Sequence, residues 1–258
     1  VVSGSLTIVG TGFVAGGQAT LEALATIRGA EKLLYLTSDP VAAHWLCSLN
    51  VTAESLADAY APGRDRGDSY AEMAARMLAP ARAGARVCAA FYGHPGVFVD
   101  PSHAAIAQAR AEGIVARMQP GISAEDCLFS DLGLDPGEFG CQSFEATDFL
   151  IYRRRFDRRS LLIIWQVGAI GVLDFRPGLL WSRKGLRVLT DVLAADYPLD
   201  HEVTVYEASS YAVCRPLMDR MPLRRLPRAR VTLASTLVVP PCGASRLDRQ
   251  RMALLGLD

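Results

Sequence analysis

The sequence has no excess of charge of either sign. Its 27 lysines and arginines equal its 27 aspartates and glutamates, so the formal net charge at pH 7 is zero. Without a net positive field, the whole surface does not attract a nucleic-acid backbone, and we expect no nucleic-acid partner. One local exception is the arginine-rich stretch 153–159, which could be a partner surface or an ordinary solvated loop.

The sequence also lacks paired cysteines and long apolar runs. None of its six cysteines forms a C-x-x-C pair, so we expect reduced thiols in the core and no metal site. No apolar run approaches the ~20 residues that cross a bilayer, and no leader-like segment opens the sequence. We therefore expect a cytoplasmic protein with no membrane association.

The sequence does contain alternating strand-like and helical segments. Half of its 258 residues are hydrophobic, enough for a large core. Residues 5–10 and 32–37 are apolar, and residues 18–27 between them have helical spacing, so this β–α–β order predicts parallel strands. Further strands are predicted over 86–92, 114–118, 161–167, 202–208 and two runs within 230–239, and further helices over 102–112 and 186–195.

The character of the sequence changes near residues 118–121. Before this point strands alternate with helices, whereas afterwards strands dominate, which favours a more mixed sheet. We predict an N-terminal parallel α/β subdomain over 1–119, a C-terminal mixed α/β subdomain over 120–245 and a C-terminal tail over 246–258.

Two glycine and proline turns carry the strongest functional signal. Each follows a predicted strand: FYGHPGVFV spans 91–99 and PGISAEDCLF spans 120–129. Glycine allows torsions closed to other residues and a close approach to a ligand, while proline limits flexing of the turn. Two such turns at the ends of neighbouring strands predict a cleft of backbone groups that suits a nucleoside or an amino-acid headgroup.

Together with LTIVGTG at 6–12, these turns resemble the tetrapyrrole methylase superfamily. The resemblance implies two α/β subdomains with a cleft for S-adenosylmethionine between them. Gly10, Gly12 and Ala15 also satisfy a loose G-x-G-x-x-G/A pattern, so a nicotinamide-dependent oxidoreductase is an alternative. The resemblance continues on both sides of the turn and favours the methylase.

The resemblance narrows to one subgroup. The Gly-His-Pro turn at 93–95 replaces the acidic Gly-Asp-Pro turn usual in tetrapyrrole-modifying members. With 120–129 and WQVG at 165–168, it is similar to the borosin enzymes, which methylate backbone amide nitrogens of a ribosomally made precursor peptide. The likeness runs from about Ser5 to Pro241 and implies a homodimer. Because the sequence stops at Asp258, we expect the precursor on a separate chain, as in the split bacterial systems.

The segment YAPGRDRGDSY at 60–70 corresponds to the peptide-binding segment of borosin enzymes. A backbone amide nitrogen is a poor nucleophile because its lone pair is delocalised, so it must lose a proton or be held as the imidate. A phenol beside a permanently charged guanidinium is a credible base. The resemblance implies that Tyr70 is the base, Arg66 its electrostatic partner and Tyr60 a positioning hydrogen-bond donor. Ala57 replaces a tyrosine of the family pattern.

The resemblance also implies the cofactor contacts. Those near the two turns are Tyr92, Gly93, His94, Val97, Phe98, Ser123 and Ala124. Those in the later segments are Gln166, Tyr206, Ala208, Ser235 and Thr236. Two loops rich in glycine and proline, 133–140 and 171–178, could contact the peptide or be ordinary surface loops.

Other functions stay open. Tyr70 falls on a helical stripe with Met73 and Met77, so it could be a packing residue. A methyltransferase for a tetrapyrrole or another small molecule would use the same fold. A catalytically silent module that binds peptide and cofactor is a further alternative, which Ala57 favours. The segment 60–70 and the Gly-His-Pro turn favour the peptide N-methyltransferase.

Overall fold

The structure, a computed structural model, describes residues 4–172, 183–245 and 247–257. They form two compact units, each with its own sheet and core. The first unit comprises residues 4–133, 172 and 208–217, and the second comprises 134–171, 183–207, 218–245 and 247–257. Of the candidate loop 171–178, residues 173–178 lie outside the described residues.

The first unit is a parallel sheet covered by helices. Its strands are β1 (Ser5–Gly10), β2 (Lys32–Leu36), β3 (Glu54–Ser55), β4 (Arg86–Phe91) and β5 (Val115–Gln119), in the order β3-β2-β4-β1-β5. Its helices are α1 (Leu21–Gly29), α2 (Pro40–Leu49), α3 (Arg66–Arg82), α4 (Asp100–Ala111) and α5 (Ala124–Leu132). All strand pairs are parallel, as the β–α–β pattern predicts.

Alternating side chains of β1 supply two layers of core. Leu6 and Ile8 pack with the buried faces of α3 and α4, while Val9 packs with α1 and α2 on the other side. Because a strand of this kind is buried on both faces, its sequence is a continuous apolar run. The two glycine turns follow β4 and β5, which flank β1 and are therefore not immediate neighbours.

The first unit extends beyond the boundary that we expected at residue 119. A Cβ on Gly121 would lie 2.7 Å from the Cα of Gly10, so the chain after β5 lies directly on the end of β1. The Gln18 amide also donates to the Cys127 sulfur in α5, over 3.6 Å. These contacts place α5 with the first sheet.

The second unit has the mixed sheet that the sequence predicts. Its strands are β6 (Cys141–Glu145), β7 (Leu161–Trp165), β8 (Glu202–Glu207), β9 (Leu217–Pro222) and β10 (Thr236–Val239), in the order β6-β7-β10-β8-β9. β6 runs parallel to β7, whereas β10 is antiparallel to both β7 and β8. Its helices are α6 (Pro136–Phe139), α7 (Ala146–Ile151), α8 (Arg183–Leu193) and α9 (Arg249–Leu254). Within 230–239 there is one strand rather than two.

All six cysteines are free. Cys88 is fully buried, as expected of a core thiol, but Cys47 and Cys214 are exposed, so the expectation of core positions is wrong for these two. Among the described residues, no helix is long and apolar enough to cross a membrane.

Candidate active site

Three loops at the carboxyl ends of β1, β4 and β5 meet backbone to backbone. Gly12 and Gly93 exchange two backbone hydrogen bonds, of 3.2 and 2.9 Å. A Cβ on Gly10 would overlap the Gly93 carbonyl oxygen, and one on Gly121 would also approach that oxygen, to 2.7 Å. Because no side chain fits there, these positions require glycine. The opening turn and the two later turns therefore form one backbone surface, at the edge of the sheet where such folds bind ligands.

The turn after β4 presents an exposed aromatic and aliphatic wall. Tyr92, Val97 and Phe98 leave 52%, 41% and 50% of their surfaces open. The His94 ring is held in place, because its Nδ1 accepts a hydrogen bond from the Gly96 N–H over 3.0 Å. Phe98 has φ of 54°, a left-handed conformation that costs a non-glycine residue about 1–3 kcal/mol and is typical of functional sites.

The three predicted catalytic residues lie together at the start of α3. The Tyr60 and Tyr70 rings meet edge to face, with centroids 6.4 Å apart and planes at 79°, and a hydrogen bond joins their hydroxyl groups. Burial, and secondarily the neighbouring Tyr70 and Tyr92, raise the pKa of Tyr60 far above its ordinary value, while Arg66 opposes the shift. Tyr60 therefore stays protonated at neutral pH, which suits a hydrogen-bond donor.

Tyr92 connects this cluster to the turn after β4. More than half of its surface is open, but the protein around its hydroxyl raises the pKa of Tyr92, and Tyr70 adds to the rise. Its ring also meets Phe13 of the opening turn edge to face, with centroids 6.1 Å apart. The predicted base and a predicted cofactor contact are thus electrostatic neighbours within the first unit.

Capping and ion pairs hold the predicted catalytic segment at the start of α3. The Asp65 carboxylate accepts a hydrogen bond from the Gly67 N–H over 2.7 Å and caps the helix. Arg64 bonds to Glu72 over 2.6 Å and to the Ala59 carbonyl over 3.1 Å. In contrast, Arg66 makes no ion pair with a carboxylate in the described part of the chain, and its charge lowers the pKa of Tyr60 against the larger rise that burial causes.

Tyr70 has the packing contacts that the sequence predicts, and its catalytic role stays a prediction. It packs against the core cluster that contains Met73 and Met77, and its hydroxyl meets that of Tyr60. Packing therefore fixes the orientation of the phenol and does not compete with a catalytic role.

Most of the predicted cofactor contacts in the second unit gather at one edge of its sheet. Because β10 is antiparallel to β7 and β8, the ends of those two strands meet the start of β10. Gln166 follows β7 with φ of 58° and ψ of 39°, another left-handed residue that is not glycine. Tyr206, Ser235 and Thr236 expose at most 2% of their surfaces, so a ligand reaches these side chains only if their neighbours move. Ala208 belongs to the first unit.

Ser123 has a structural task that the sequence analysis did not identify. Its hydroxyl accepts a hydrogen bond from the Asp126 N–H and donates one to the Asp126 carboxylate, which in turn accepts from the Ser123 N–H. This capping box starts α5, with Ala124 as its first residue, and the spacing of a serine three residues before an acidic residue is its signature. A cofactor contact from Ser123 remains a prediction.

Residues 208–217 make contacts with the first unit that no local sequence pattern predicted. Tyr211 in this segment donates a hydrogen bond to the Asp39 carboxylate at the start of α2. With Gln18 and Cys127 it lines a cavity of about 460 Å³ in the first unit. No local pattern signals this contact, because the two residues are 172 positions apart. Among the described residues, no three histidine, cysteine or acidic side chains gather as a metal site.

Comparison with known proteins identifies the family that this chain matches. The family model of Tetrapyrrole (Corrin/Porphyrin) Methylases matches residues 5–215. A uroporphyrin-III C-methyl transferase from Thermus thermophilus, crystallised with S-adenyl homocysteine, has a TM-score of 0.61 at 15% identity and covers 92% of each chain. At that identity, the likeness shows the fold alone.

More similar sequences have names that join a methyltransferase and a peptide precursor. The methyltransferase/ribosomally synthesized cyclic peptide gymnopeptides precursor of Gymnopus fusipes is 44% identical over 93% of this chain and 58% of that protein. The methyltransferase/ribosomally synthesized type I borosin cyclic peptide precursor of Mycena rosella is 39% identical over 98% and 64%. The chain thus spans about three fifths of the length of these curated relatives.

Proposed function

Because this chain belongs to the tetrapyrrole (corrin/porphyrin) methylase family, we propose that it is an S-adenosylmethionine-dependent methyltransferase that methylates backbone amide nitrogens of a ribosomally made precursor peptide. The observation that carries this proposal is the cluster of Tyr60, Arg66 and Tyr70 beside Tyr92. A pair of half-buried phenols beside a guanidinium that forms no ion pair among the described residues suits removal of an amide proton. The peptide-related names of the relatives support the same substrate class.

The cofactor proposal rests on the surface formed by the glycine loops. Gly10 and Gly121 leave no room for side chains, and Gly93 has a positive φ of 69°, so backbone groups can contact a ligand directly. The exposed Val97 and Phe98 suit the adenosine group, and the aromatic face of Tyr92 suits a sulfonium cation. S-adenosylmethionine supplies an electrophilic methyl group when bound. We also assign to the cofactor the other residues that the family resemblance implies: Gly93, His94, Ser123, Ala124, Gln166, Tyr206, Ala208, Ser235 and Thr236.

The proposed chemistry divides among three side chains. In this proposal Tyr70 acts as a phenolate and accepts the proton of the amide nitrogen, becoming a neutral phenol, so that the lone pair becomes available for the methyl group. The Arg66 guanidinium stabilises the negative charge that develops on the amide oxygen. Tyr60, which burial keeps protonated, donates a hydrogen bond that orients its partners.

The oligomeric state, the cellular location and the arrangement of the precursor are three further proposals. We expect a homodimer and a cytoplasmic location from the resemblance and composition. We also predicted a split, bacterial-type system with the precursor on a separate chain. The names of the relatives join enzyme and precursor in one protein, and therefore give no support to the split arrangement.

The decisive experiment is mass spectrometry of a peptide exposed to this enzyme. A candidate precursor peptide encoded beside or downstream of this sequence is co-expressed with the chain, and an Arg66→Ala variant is the control. Methyl groups localised by fragmentation to backbone nitrogens, and absent in the control, would support the proposal. A peptide that co-purifies unmodified would indicate a silent binding module. A methylated porphyrinoid without methylated peptide would instead favour a tetrapyrrole methyltransferase.

A further inference from the structure

A row of three residues crosses the edge of the second sheet. Continuing the antiparallel registers of β10 with β7 and β8 places Ser235 between Gln166 and Glu207. Ser235 is fully buried. Its carbonyl accepts the Val167 N–H over 3.0 Å, and its hydroxyl donates to the Glu207 carboxylate.

Glu207 fastens the whole turn before β10. One of its oxygens, Oε1, accepts hydrogen bonds from both the Ser235 and Thr232 hydroxyls, the latter over 2.8 Å. The turn is closed further, because the Thr232 N–H donates to the Ser235 hydroxyl over 2.7 Å and the Ala234 N–H donates to the Thr232 hydroxyl over 3.1 Å. A single carboxylate oxygen therefore holds both ends of this turn.

The same turn sets the backbone around Gln166. A Cβ on Gly168 would overlap the Thr232 carbonyl, so the two backbones are in direct contact. The turn after β7 is therefore held at two points. One is the hydrogen bond from the Val167 N–H to the Ser235 carbonyl, and the other is this contact at Gly168. The left-handed conformation of Gln166, with φ of 58°, is unfavourable by itself and persists only where the surroundings impose it.

We infer that Glu207 is a positioning residue for cofactor binding: its carboxylate holds the Thr232–Ser235 turn, and this turn holds Gln166 in the left-handed conformation that presents its amide. The inference rests on the proposed function in one respect, namely that Gln166 contacts S-adenosylmethionine. Glu207 itself acts only through Ser235 and Thr232. The clamp belongs to this chain and can be tested without any ligand.

The first test measures the clamp by hydrogen exchange. Glu207→Ala removes the acceptor, Glu207→Gln keeps an oxygen acceptor, and Glu202→Ala removes the same side chain from the exposed far end of β8. We expect the Val167 amide to exchange at least about tenfold faster in Glu207→Ala, since this variant loses the hydrogen bonds from both the Ser235 and Thr232 hydroxyls and one such bond corresponds to roughly that factor. Exchange in the other two variants should stay within about twofold of wild type.

The second test measures the affinity for S-adenosylhomocysteine by calorimetry. We expect an about tenfold higher Kd in Glu207→Ala, with Glu207→Gln and Glu202→Ala near wild type. A Val167 amide that stays protected in a folded Glu207→Ala protein would overturn the inference, as would equal losses of affinity in Glu207→Ala and Glu207→Gln. If wild type itself does not bind S-adenosylhomocysteine, the proposed function fails, and hydrogen exchange still decides whether the clamp exists.

Discussion

The hydroxyl groups of Tyr60 and Tyr70 are hydrogen-bonded, and their rings meet edge to face with centroids 6.4 Å apart. The two phenols are nevertheless inequivalent in their settings. Tyr60 lies in the segment before α3, where burial keeps it protonated, whereas Tyr70 lies inside α3. Tyr92 is an electrostatic neighbour of both. The proposed roles of donor for Tyr60 and base for Tyr70 rest on this difference, and the first prediction tests them.

Replacing the proposed base should lower turnover strongly and leave the affinity for the cofactor unchanged. Tyr70→Phe keeps the ring that packs on the core and removes only the hydroxyl, so the folded state and the affinity for S-adenosylhomocysteine should remain. We expect turnover to fall by about a hundredfold or more, the usual effect of losing a general base. Single-turnover mass spectrometry and calorimetry measure the two quantities. Tyr152→Phe, at a 63% exposed tyrosine, is the matched control, and turnover near wild type in Tyr70→Phe would refute the assignment.

Arg66 should be needed for its charge and for its geometry. Arg66→Gln removes the cation that supports charge on the amide oxygen, and we expect an about 100-fold to 1,000-fold loss of turnover. Arg66→Lys keeps the charge but lacks the planar fork, so an intermediate loss is expected. Arg28→Gln, at an exposed position near the end of α1, controls for the loss of one surface charge. Equal rates in Arg66→Gln and Arg28→Gln would remove Arg66 from the mechanism.

The backbone surface that the glycine turns form should not tolerate the methyl group that a glycine-to-alanine substitution adds. Gly10→Ala forces a Cβ onto the Gly93 carbonyl, and we expect it to lower the free energy of unfolding by about 2–4 kcal/mol and to weaken cofactor binding. Gly29→Ala is the matched substitution, because a Cβ there meets nothing within 4 Å. It lies in α1 and should stabilise the protein by about 0.5–1 kcal/mol. Urea unfolding measures both, and equal effects would contradict the backbone contact.

Gln166→Gly should separate stability from binding. Glycine adopts the left-handed conformation without strain, so the folded protein should keep or slightly raise its stability. Loss of the side-chain amide should raise the Kd for S-adenosylhomocysteine by about tenfold. Arg153→Gly relieves a similar positive φ, of 47°, at an exposed position, and should leave the Kd unchanged. An unaltered Kd in Gln166→Gly would exclude Gln166 from the cofactor site.

Alkaline pH should destabilise the protein through Cys88. Burial raises the pKa of the Cys88 thiol to about 12, whereas a thiol in the unfolded chain releases its proton near pH ~8.5. Between these values the unfolded state binds fewer protons than the folded state, so the free energy of unfolding falls as pH rises. The contribution of this group is at most about 1.4 kcal/mol per pH unit. Urea unfolding at several pH values from 8 to ~10 should show a shallower fall for Cys88→Ala, and an unchanged slope would contradict the prediction.

Local sequence patterns were sufficient for the elements that bury a continuous apolar run. The strands β1, β2 and β4 and their parallel pairing follow from such runs alternating with helical spacing. The strand β5 was also predicted, although its residues are mostly exposed or half-buried. Short or exposed elements were missed, among them β3, with two residues, and β9, whose first four residues are exposed. Such strands form because a neighbouring strand supplies hydrogen bonds, and this neighbour is not visible in the local sequence.

The sequence by itself determined the residue types of the candidate site: glycines where backbones must touch, and two tyrosines and an arginine in the segment that leads into one helix and begins it. Only the tertiary structure decided which of them meet. It placed β1 between the two glycine turns, set Tyr92 beside Tyr70, committed the Ser123 hydroxyl to a helix cap and joined Glu207 to Ser235. The physical reason is that a side chain's chemistry is local, while its electrostatic and hydrogen-bonding neighbours depend on strand order and register, which the packing of distant segments selects.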